Sequence, residues 1–344
     1  MTNMPRSQLQ YQLIRQTEGF SLQMREGAPI RLPGRNEVLV RVRATSLNRR
    51  DVGVLRGFYP VGPREALVPL SDGAGEVAAV GAGVTRFRAG DRVAAIFFQQ
   101  WLAGRPSPAA AASALGGELD GMLSEYVTLH EQGLVAVPAH LSYEQAATLP
   151  CAAVTAWCGL VTRGRMQPGD HVLLQGTGGV SVFGLQFAVA AGARAWMTSS
   201  SDAKLARARQ LGAVGTLNYR TTPDWGKAVQ ALTGGIGVHH VLEVGGQGTL
   251  PQSLAALGYG GHIALIGGLS GFGGDVPAVA LIGRNAGVTG IFVGSRADFE
   301  AMNAFIAQHR LEPVIDRVFD YAEAAAAYAH MESGRHFGKI VIRH

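Results

Sequence analysis

The sequence predicts an α/β fold with two parts, a β-barrel-like part and a doubly wound parallel sheet. In the first third of the chain, short strands alternate between apolar and polar residues and are separated by glycine and proline. From Ser142 onward, apolar strands and helical segments follow each other in turn, which is typical of a parallel sheet covered by helices. A chain of 344 residues that is 47% hydrophobic and 16% charged is long enough for two such domains.

The strand EVLVRVRATSL shows the alternation of the first part. Val38, Val40 and Val42 share one face, whereas Arg41 and Arg43 point to the other. Short strands follow in GDRVAAIF, SEYVTLH and GLVAVP, and the chain closes on the strand GKIVIRH. We therefore expect a split first domain, formed by residues 1–137 and 312–344. The alanine-rich segment 103–117 is expected to be a surface loop, or alternatively a lid near a site.

The second domain is expected over residues 138–311. The spacing of Ser142 and Gln145 predicts a capping box at its first helix, and Pro150 predicts a kink. Strands are then predicted in HVLLQ, ARAWMTSS, GTLNY, HHVLEV, GHIALIG and VTGIFVG, with helices between them.

Composition narrows the classes of function. The sequence has no run of eighteen apolar residues and no signal-peptide core, so we expect a cytoplasmic protein without a membrane partner. The net charge is +5, but Lys and Arg are scattered, which argues against nucleic acid and leaves a small molecule as the expected partner. The two cysteines, Cys151 and Cys158, have neither metal-knuckle nor disulfide spacing and are interpreted as core residues.

A glycine-rich turn in LLQGTGGVSVFGLQFA follows a buried strand and opens a helix. Its backbone N–H groups and the positive end of the helix would face one point, where a diphosphate could bind. A tight turn without a ligand is the alternative, but this context favours a dinucleotide. The predicted binding residues are Gly176, Thr177, Gly178, Gly179 and Val180, with Ser181 at the position of a third glycine.

The end of the next strand, TSSSDAK, indicates which dinucleotide binds. NAD-binding folds place a carboxylate there, whereas Ser199, Ser200 and Lys204 would accept the 2′-phosphate of NADP. Asp202 is the alternative acidic residue, although its position suits the start of a helix. We therefore expect NADP(H), with Tyr219 covering the adenine unless it belongs to a plain surface turn.

Five motifs occur in order along nearly the whole chain: SLNRRD, PLSDGAGEVAAVGAGVTRFRAGDRV, LPCAAVTAW, GDHVLLQGTGGVSVFGLQFA and GRHFGKIVI. Together they resemble the medium-chain dehydrogenase/reductase superfamily, which includes zinc alcohol dehydrogenases and zinc-free quinone oxidoreductases. The resemblance implies a GroES-like catalytic domain, a Rossmann cofactor domain and an active site in the cleft between them.

The resemblance also locates the positions of the zinc ligands. They carry Asn48, Ser71 and Cys151, an amide, a hydroxyl and one thiol, which is a poor ligand set for zinc. Asp72 could act as a zinc ligand only together with another ligand residue at metal-ligand spacing, and the sequence shows none. We therefore expect no metal, and Cys151 is interpreted as a remnant packed behind the nicotinamide.

Without a Lewis acid, a quinone or an α,β-unsaturated carbonyl is an easier substrate than a ketone, because the charge spreads over an enolate that one or two donors can hold. Asn48 is expected to orient the substrate or the cofactor ribose, and Tyr59 to donate a proton, unless it is a loop aromatic at the rim. The resemblance implies cofactor contacts for Arg49, Thr155, Gly267, Phe292, Val293 and Lys339.

The leading hypothesis is thus an NADP(H)-dependent, zinc-independent reductase of quinones or activated double bonds. The alternatives are an alcohol dehydrogenase acting on small alcohols or aldehydes, and a non-catalytic NADPH-binding sensor or structural protein. A homodimer is expected through VTGIFVG, residues 288–294, because family members commonly pair through this strand and it is apolar on both faces. Alternatively, the loop at residues 268–275 covers this edge.

Overall fold

The computed structural model describes residues 5–273 and 275–344. Two compact units are present, Met1–Ala152 with Gly294–His344, and Ala153–Val293. No helix in the described ranges is both long and apolar enough to cross a membrane.

The strands are β1 (Ser7–Arg15), β2 (Phe20–Pro29), β3 (Glu37–Leu47), β4 (Ala66–Leu67), β5 (Asp72–Val80), β6 (Arg92–Ala95), β7 (Tyr126–His130), β8 (Leu134–Ala136), β9 (His171–Gln175), β10 (Arg194–Ser199), β11 (Gly215–Asn218), β12 (Val238–Glu243), β13 (Leu257–Leu265), β14 (Gly287–Gly290), β15 (Ile315–Asp320) and β16 (Lys339–Arg343). The helices are α1 (Arg49–Leu55), α2 (Pro108–Ala111), α3 (Tyr143–Ala146), α4 (Val154–Trp157), α5 (Gly179–Ala190), α6 (Asp202–Gln210), α7 (Trp225–Leu232), α8 (Leu250–Ala256), α9 (Ala278–Ile282), α10 (Arg296–His309) and α11 (Ala324–Glu332).

The first unit is built on a largely antiparallel sheet. Its strands follow the order β15-β16-β3-β5-β6-β8, with β7 also paired to β3, and β2-β1-β4 form a smaller sheet. Val38, Val40 and Val42 are buried in one apolar cluster, whereas Arg41 is exposed, as the alternation predicts. The last strand, β16, pairs with β3, so the far end of the chain completes this sheet, as expected.

The second unit contains a parallel sheet in the order β11-β10-β9-β12-β13-β14. All of its neighbouring strands are parallel, which confirms the predicted doubly wound fold. The bounds of the first four strands agree with the predicted segments to within one residue, whereas β13 starts four residues before the predicted GHIALIG, at Leu257, and the last strand is shorter than predicted. Strand β14 ends at Gly290, before the segment reaches Val293, whose φ of +54° is incompatible with an extended strand.

The predicted domain boundaries are 137/138 and 311/312, and the two compact units divide the chain at 152/153 and 293/294. Residues 138–152 and 294–311 therefore belong to the first compact unit. Asn303 on α10 donates to the carbonyl of Ala136 on β8, and Ser46 on β3 donates to the carbonyl of Ala147. These hydrogen bonds join elements distant in sequence, which the local pattern could not reveal.

Local signals predicted several details correctly. Ser142 and Gln145 form the reciprocal bonds of a capping box, at 3.1 and 2.9 Å, and Pro150 lies in a π-helical turn, Leu149–Ala153.

The segment 103–117 differs from a simple surface loop. It contains α2, and Ala110, Leu115 and their neighbour Ala114 are buried, because the small and apolar side chains fit against the barrel core.

Candidate active site

Strand register brings three polar residues of the first unit together. Ser46 on β3 pairs with Asp72, the first residue of β5, and Leu47 pairs with Ile340 on β16. Asn48 follows β3 directly and Lys339 precedes Ile340. The ends of three neighbouring strands therefore place Asn48, Asp72 and Lys339 side by side.

The ammonium group of Lys339 is buried among three oxygen acceptors. Lys339 is 2% exposed, and its Nζ donates to the carbonyl of Leu47 at 2.7 Å, to Oδ1 of Asn48 at 2.7 Å and to Oδ2 of Asp72 at 3.4 Å. Asp72 is fully buried and also accepts from the hydroxyl of Ser71 at 2.7 Å. A buried ion pair is tolerated when further hydrogen bonds satisfy both charges, as they do here.

The other end of the Asn48 amide lacks a partner. Asn48 is 8% exposed, and within the described part of the chain its Nδ2 has no hydrogen-bond partner. Leaving a buried N–H donor unsatisfied costs about 1–3 kcal/mol. Such an orphaned donor marks a place where a ligand oxygen can bind.

The residues at the family's zinc-ligand positions do not suit zinc. The oxygen of Asn48 is occupied by the Lys339 ammonium, and the hydroxyl of Ser71 donates to Asp72. Cys151 is thus the one soft ligand of the three, beside an amide and a hydroxyl that are poor ligands for zinc. Over residues 5–273 and 275–344, no group of three His, Cys, Asp or Glu side chains is arranged to hold a metal ion.

The remaining candidates of the first unit lie around α1. Arg49, the first residue of α1, is exposed, and Tyr59 is half-buried. The neighbouring Arg50 places its guanidinium 5.1 Å from the centre of the Tyr59 ring and 4.7 Å from that of Phe97. Arg50 was not identified from the sequence, since only the fold brings these two aromatic rings to it.

In the second unit, the glycine-rich turn has the expected geometry. Gly176 has a φ of +70°, α5 starts at Gly179, and a Cβ added at Gly176 or Gly178 would meet no atom within 4 Å. Space in front of a helix N-terminus, with unhindered backbone N–H groups, fits a diphosphate. Ser181 is buried and donates to the carbonyl of Gln175 at 2.5 Å, so its hydroxyl ties the helix to β9.

The proposed 2′-phosphate residues lie on the next strand of the same sheet edge. Thr198 on β10 pairs with Gln175 on β9, so Ser199 and Ser200 lie beside the glycine-rich turn. Tyr219 follows β11 and donates its backbone N–H to the carbonyl of Ser199 at 3.1 Å, whereas its side chain is 42% exposed. Lys204 lies in the first turn of α6 and is half-buried.

Asp202 begins α6, as predicted. Its carboxylate accepts from the side-chain amide of Asn218 at 2.9 Å. Ser201 caps the helix by accepting from the backbone N–H of Lys204 at 3.4 Å. The tip of β10 carries hydroxyl groups rather than a carboxylate: Ser199 is 4% exposed and its hydroxyl accepts from the backbone N–H of Ser201 at 3.3 Å, whereas Ser200 is half-buried.

The other candidates are dispersed over the second unit. Thr155 is buried in α4, and Gly267 follows β13, where an added Cβ would lie 2.8 Å from the carbonyl oxygen of Val244. Phe292 is 46% exposed, and Val293 holds the strained positive φ. Strain of this kind in a β-branched residue is typical of functional segments.

A buried network at the end of β12 was missed by the sequence analysis. The carboxylate of Glu243, fully buried, accepts from the amide of Gln175 at 2.7 Å and from the backbone N–H groups of Gly245 and Gly246 at 2.8 and 3.0 Å. The hydroxyls of Thr249 and Ser253 donate to it as well. These bonds fix the loop after β12 at the same sheet edge as the glycine-rich turn.

Two family models match the chain, the alcohol dehydrogenase GroES-like domain over residues 34–139 and the zinc-binding dehydrogenase domain over residues 179–308. A zinc-type alcohol dehydrogenase-like protein of Schizosaccharomyces pombe is 47% identical over 89% of this chain and 90% of its own length. The chain belongs to the zinc-type alcohol dehydrogenase-like proteins of the medium-chain dehydrogenase/reductase superfamily.

Solved structures of this superfamily agree with the fold. A candidate alcohol dehydrogenase of Sinorhizobium meliloti has a TM-score of 0.93 at 42% identity, over 99% of this chain and 100% of its own. An NAD-dependent alcohol dehydrogenase has a TM-score of 0.85 at 34% identity, over 97% and 99%. A 2-octenoyl-CoA carboxylase reductase, in complex with NADP and 2-octenoyl-CoA, has a TM-score of 0.86 at 25% identity, over 99% and 88%. The protein is therefore an oxidoreductase of the alcohol dehydrogenase-like type.

Proposed function

We propose that this protein is an NADP(H)-dependent, zinc-independent reductase that transfers a hydride to a quinone or an α,β-unsaturated carbonyl. The observation that carries the proposal is the environment of Asn48. Where zinc enzymes of the family hold a metal, this chain has a buried amide whose oxygen accepts from Lys339 and whose Nδ2 is unsatisfied.

The reduction of such substrates needs only one hydrogen-bond donor at the substrate oxygen, which a single amide can supply. Bound NADPH would supply the hydride. The negative charge on the substrate then spreads over an enolate or a quinol oxygen, which Asn48 Nδ2 can hold by a hydrogen bond. A ketone would concentrate the same charge on one alkoxide, for which a neutral amide is a weak electrophile. Tyr59 is the proposed proton donor.

The cofactor preference is proposed from the tip of β10. Ser199 and Ser200 offer hydroxyl groups and Lys204 a positive charge, and the carboxylate of Asp202 is engaged by Asn218. Arg49 and the glycine-rich turn would hold the diphosphate, with Thr155, Gly267, Phe292 and Val293 around the nicotinamide. The solved relative that binds NADP and an enoyl thioester supports this choice, whereas the NAD-dependent relative favours the other cofactor.

An alcohol dehydrogenase activity is the second candidate. It is favoured by the descriptions of the S. pombe and S. meliloti relatives. Because the residues at the ligand positions do not suit zinc, this activity would need another electrophile.

The test is a screen of NADPH oxidation against quinones, enones and aldehydes, with and without a chelator. We expect turnover of quinones or enones that the chelator leaves unchanged, and a large loss in Asn48→Ala. Turnover confined to aldehydes, or abolished by the chelator, would favour the alcohol dehydrogenase. Cofactor binding without turnover of any acceptor would indicate a sensor.

A further inference from the structure

The contacts of Lys339 determine which way the Asn48 amide faces. An ammonium group has three donors and no acceptor, so the atom of Asn48 that lies 2.7 Å from Nζ must be the oxygen. The NH₂ group of the amide consequently faces the opposite direction. With its other bonds to Leu47 and Asp72, the ammonium has used all three of its protons.

The cluster is itself held in place. Asp72 accepts from the hydroxyls of Ser71 at 2.7 Å and Ser46 at 3.4 Å and from the backbone N–H of Cys151 at 3.4 Å, so the partner of Lys339 has a fixed position. All three side chains are at least nine-tenths buried. Water therefore cannot easily replace the ammonium as the partner of the Asn48 oxygen.

We propose that Lys339 is a positioning residue that locks the Asn48 amide with its NH₂ group toward the substrate oxygen. This inference rests on the proposed function, in which Asn48 donates to that oxygen. Lys339 acts only through Asn48, and its positive charge polarises the amide and strengthens its N–H donors. Asp72 neutralises the ammonium, so the fixed donor carries no net charge. This assigns Lys339 a role other than the cofactor contact expected from the motif.

Removing Lys339 alone would leave Asp72 buried without a counter-charge, so the variants are compared in an Asp72→Asn background. Lys339→Met and Asn48→Ala are introduced singly and together. The chain has only three lysines, and the exposed Lys227 on α7 provides the matched control Lys227→Met.

The first readout is independent of activity. With side-chain ¹⁵N-labelled asparagine, the ligand-free Asp72→Asn protein shows one amide signal pair for each of its seven asparagines, the six of the sequence and the one introduced, and that of Asn48 is identified by its loss in Asn48→Ala. We expect Lys339→Met to shift or broaden the Asn48 pair, because the amide can then rotate, whereas Lys227→Met leaves it unchanged. An Asn48 signal that is the same with and without Lys339 would overturn the inference.

The second readout is the rate of hydride transfer in a single turnover. We expect Lys339→Met to lower this rate about tenfold or more while KM for NADPH stays within about twofold, since a charge-assisted bond is lost but no cofactor contact. In the Asn48→Ala background the same change should have an effect of less than about twofold. Equal losses in both backgrounds would mean that Lys339 does not act through Asn48.

Two further outcomes separate the inference from the proposed function. If the unmodified protein reduces none of the acceptors, the proposed function fails, whereas the amide signals still decide whether Lys339 holds Asn48. If the variants that lack Lys339 do not fold, ¹⁵N relaxation of the Asn48 side-chain amide in the ligand-free unmodified protein decides. An amide held by Lys339 should be as rigid as the surrounding backbone, and an amide that moves on the ps–ns timescale contradicts the inference.

Discussion

The buried carboxylate of Asp51 accepts a hydrogen bond of 2.7 Å from the backbone N–H of Asn48. Asp51 lies in the first turn of α1 and is 2% exposed, and its Oδ1 has no partner among the described residues. Burial raises the pKa of Asp51 from 3.8 to about 6, although the nearby Arg50 charge opposes the shift. Asp51 therefore titrates near neutrality directly beside the proposed catalytic amide.

This shift predicts a specific dependence of stability on pH. A raised pKa means that the folded protein binds the proton more tightly than the unfolded chain does. The contribution of Asp51 to the free energy of unfolding is thus fully present below pH 3.8 and is lost as the pH rises to about 6. The rise in pKa from 3.8 to about 6 corresponds to a loss of about 3 kcal/mol in the free energy of unfolding.

We expect Asp51→Asn to remove this loss while keeping an acceptor for the Asn48 N–H. The free energy of unfolding of the variant, relative to that of the unmodified protein, should rise by up to about 3 kcal/mol between pH 4 and pH 7. Denaturant titrations at several pH values measure it. The exposed Glu26→Gln serves as the control, and a difference that stays constant with pH would show that the Asp51 carboxylate is not destabilised by burial.

The donor set around Asn48 predicts the metal content of the protein. Since the amide oxygen of Asn48 faces an ammonium and the hydroxyl of Ser71 donates to Asp72, the purified protein should contain much less than one zinc per chain. Elemental analysis together with activity after chelation provides the measurement. About one tightly held zinc per chain, with activity lost on its removal, would contradict the zinc-independent proposal.

Lys204 is expected to discriminate between the two cofactors. A charge-assisted bond to the 2′-phosphate contributes about 1.5–3 kcal/mol, so Lys204→Ala should weaken NADPH binding about tenfold or more and leave NADH nearly unchanged. Calorimetric titrations with both cofactors measure this. Lys227→Ala, on the exposed side of α7, is the matched control. If the unmodified protein binds NADPH and NADH equally, the assignment of the phosphate site is wrong.

Local patterns were sufficient for much of the fold. Strand-and-helix alternation gave the six parallel strands of the second unit, and the position of Asp202 after three serines gave the start of α6. Both features depend on residues that are close together in the sequence, within one strand or within one or two helical turns. The short β14 was not predictable in this way, because the positive φ of Val293 is imposed on a residue that prefers an extended strand.

The candidate site was predictable only in part. Asn48 and Lys339 were both identified through motifs, but their 2.7 Å contact joins residues 291 positions apart and depends on the register of β16 against β3. Glu243 gave no signal at all, since its five donors come from three elements of the second unit: the end of β9, the loop after β12, and α8 with its N-cap residue. Side-chain partners of this kind follow from tertiary packing rather than from local sequence.

The prediction of a homodimer rests on β14, the last strand in the order of the parallel sheet. Among the described residues, this strand pairs with β13 on one side only, and the backbone N–H of Ile291 continues the pairing by donating to the carbonyl of Leu265 at 2.9 Å. In the alternative, loop 268–275 covers this edge; its residue Ser270 bonds to the carbonyl of Gly245 after β12. Gly274 lies outside the described residues. Val279 and Ile282, on the helix before β14, are 76% and 79% exposed.

A strand that is paired on one side only, with exposed apolar side chains nearby, favours pairing with a second copy. A two-fold axis would join the two β14 strands antiparallel and bury Ile291 and Val293 or their neighbours. We therefore expect a dimer at micromolar concentration in sedimentation equilibrium, and its dissociation in Ile291→Lys, because the new charge would be buried without a partner. Val214→Lys, next to β11 at the opposite edge of the sheet, should remain a dimer. A monomeric unmodified protein rules out the pairing, and a dimer that survives Ile291→Lys places the interface elsewhere on the molecule.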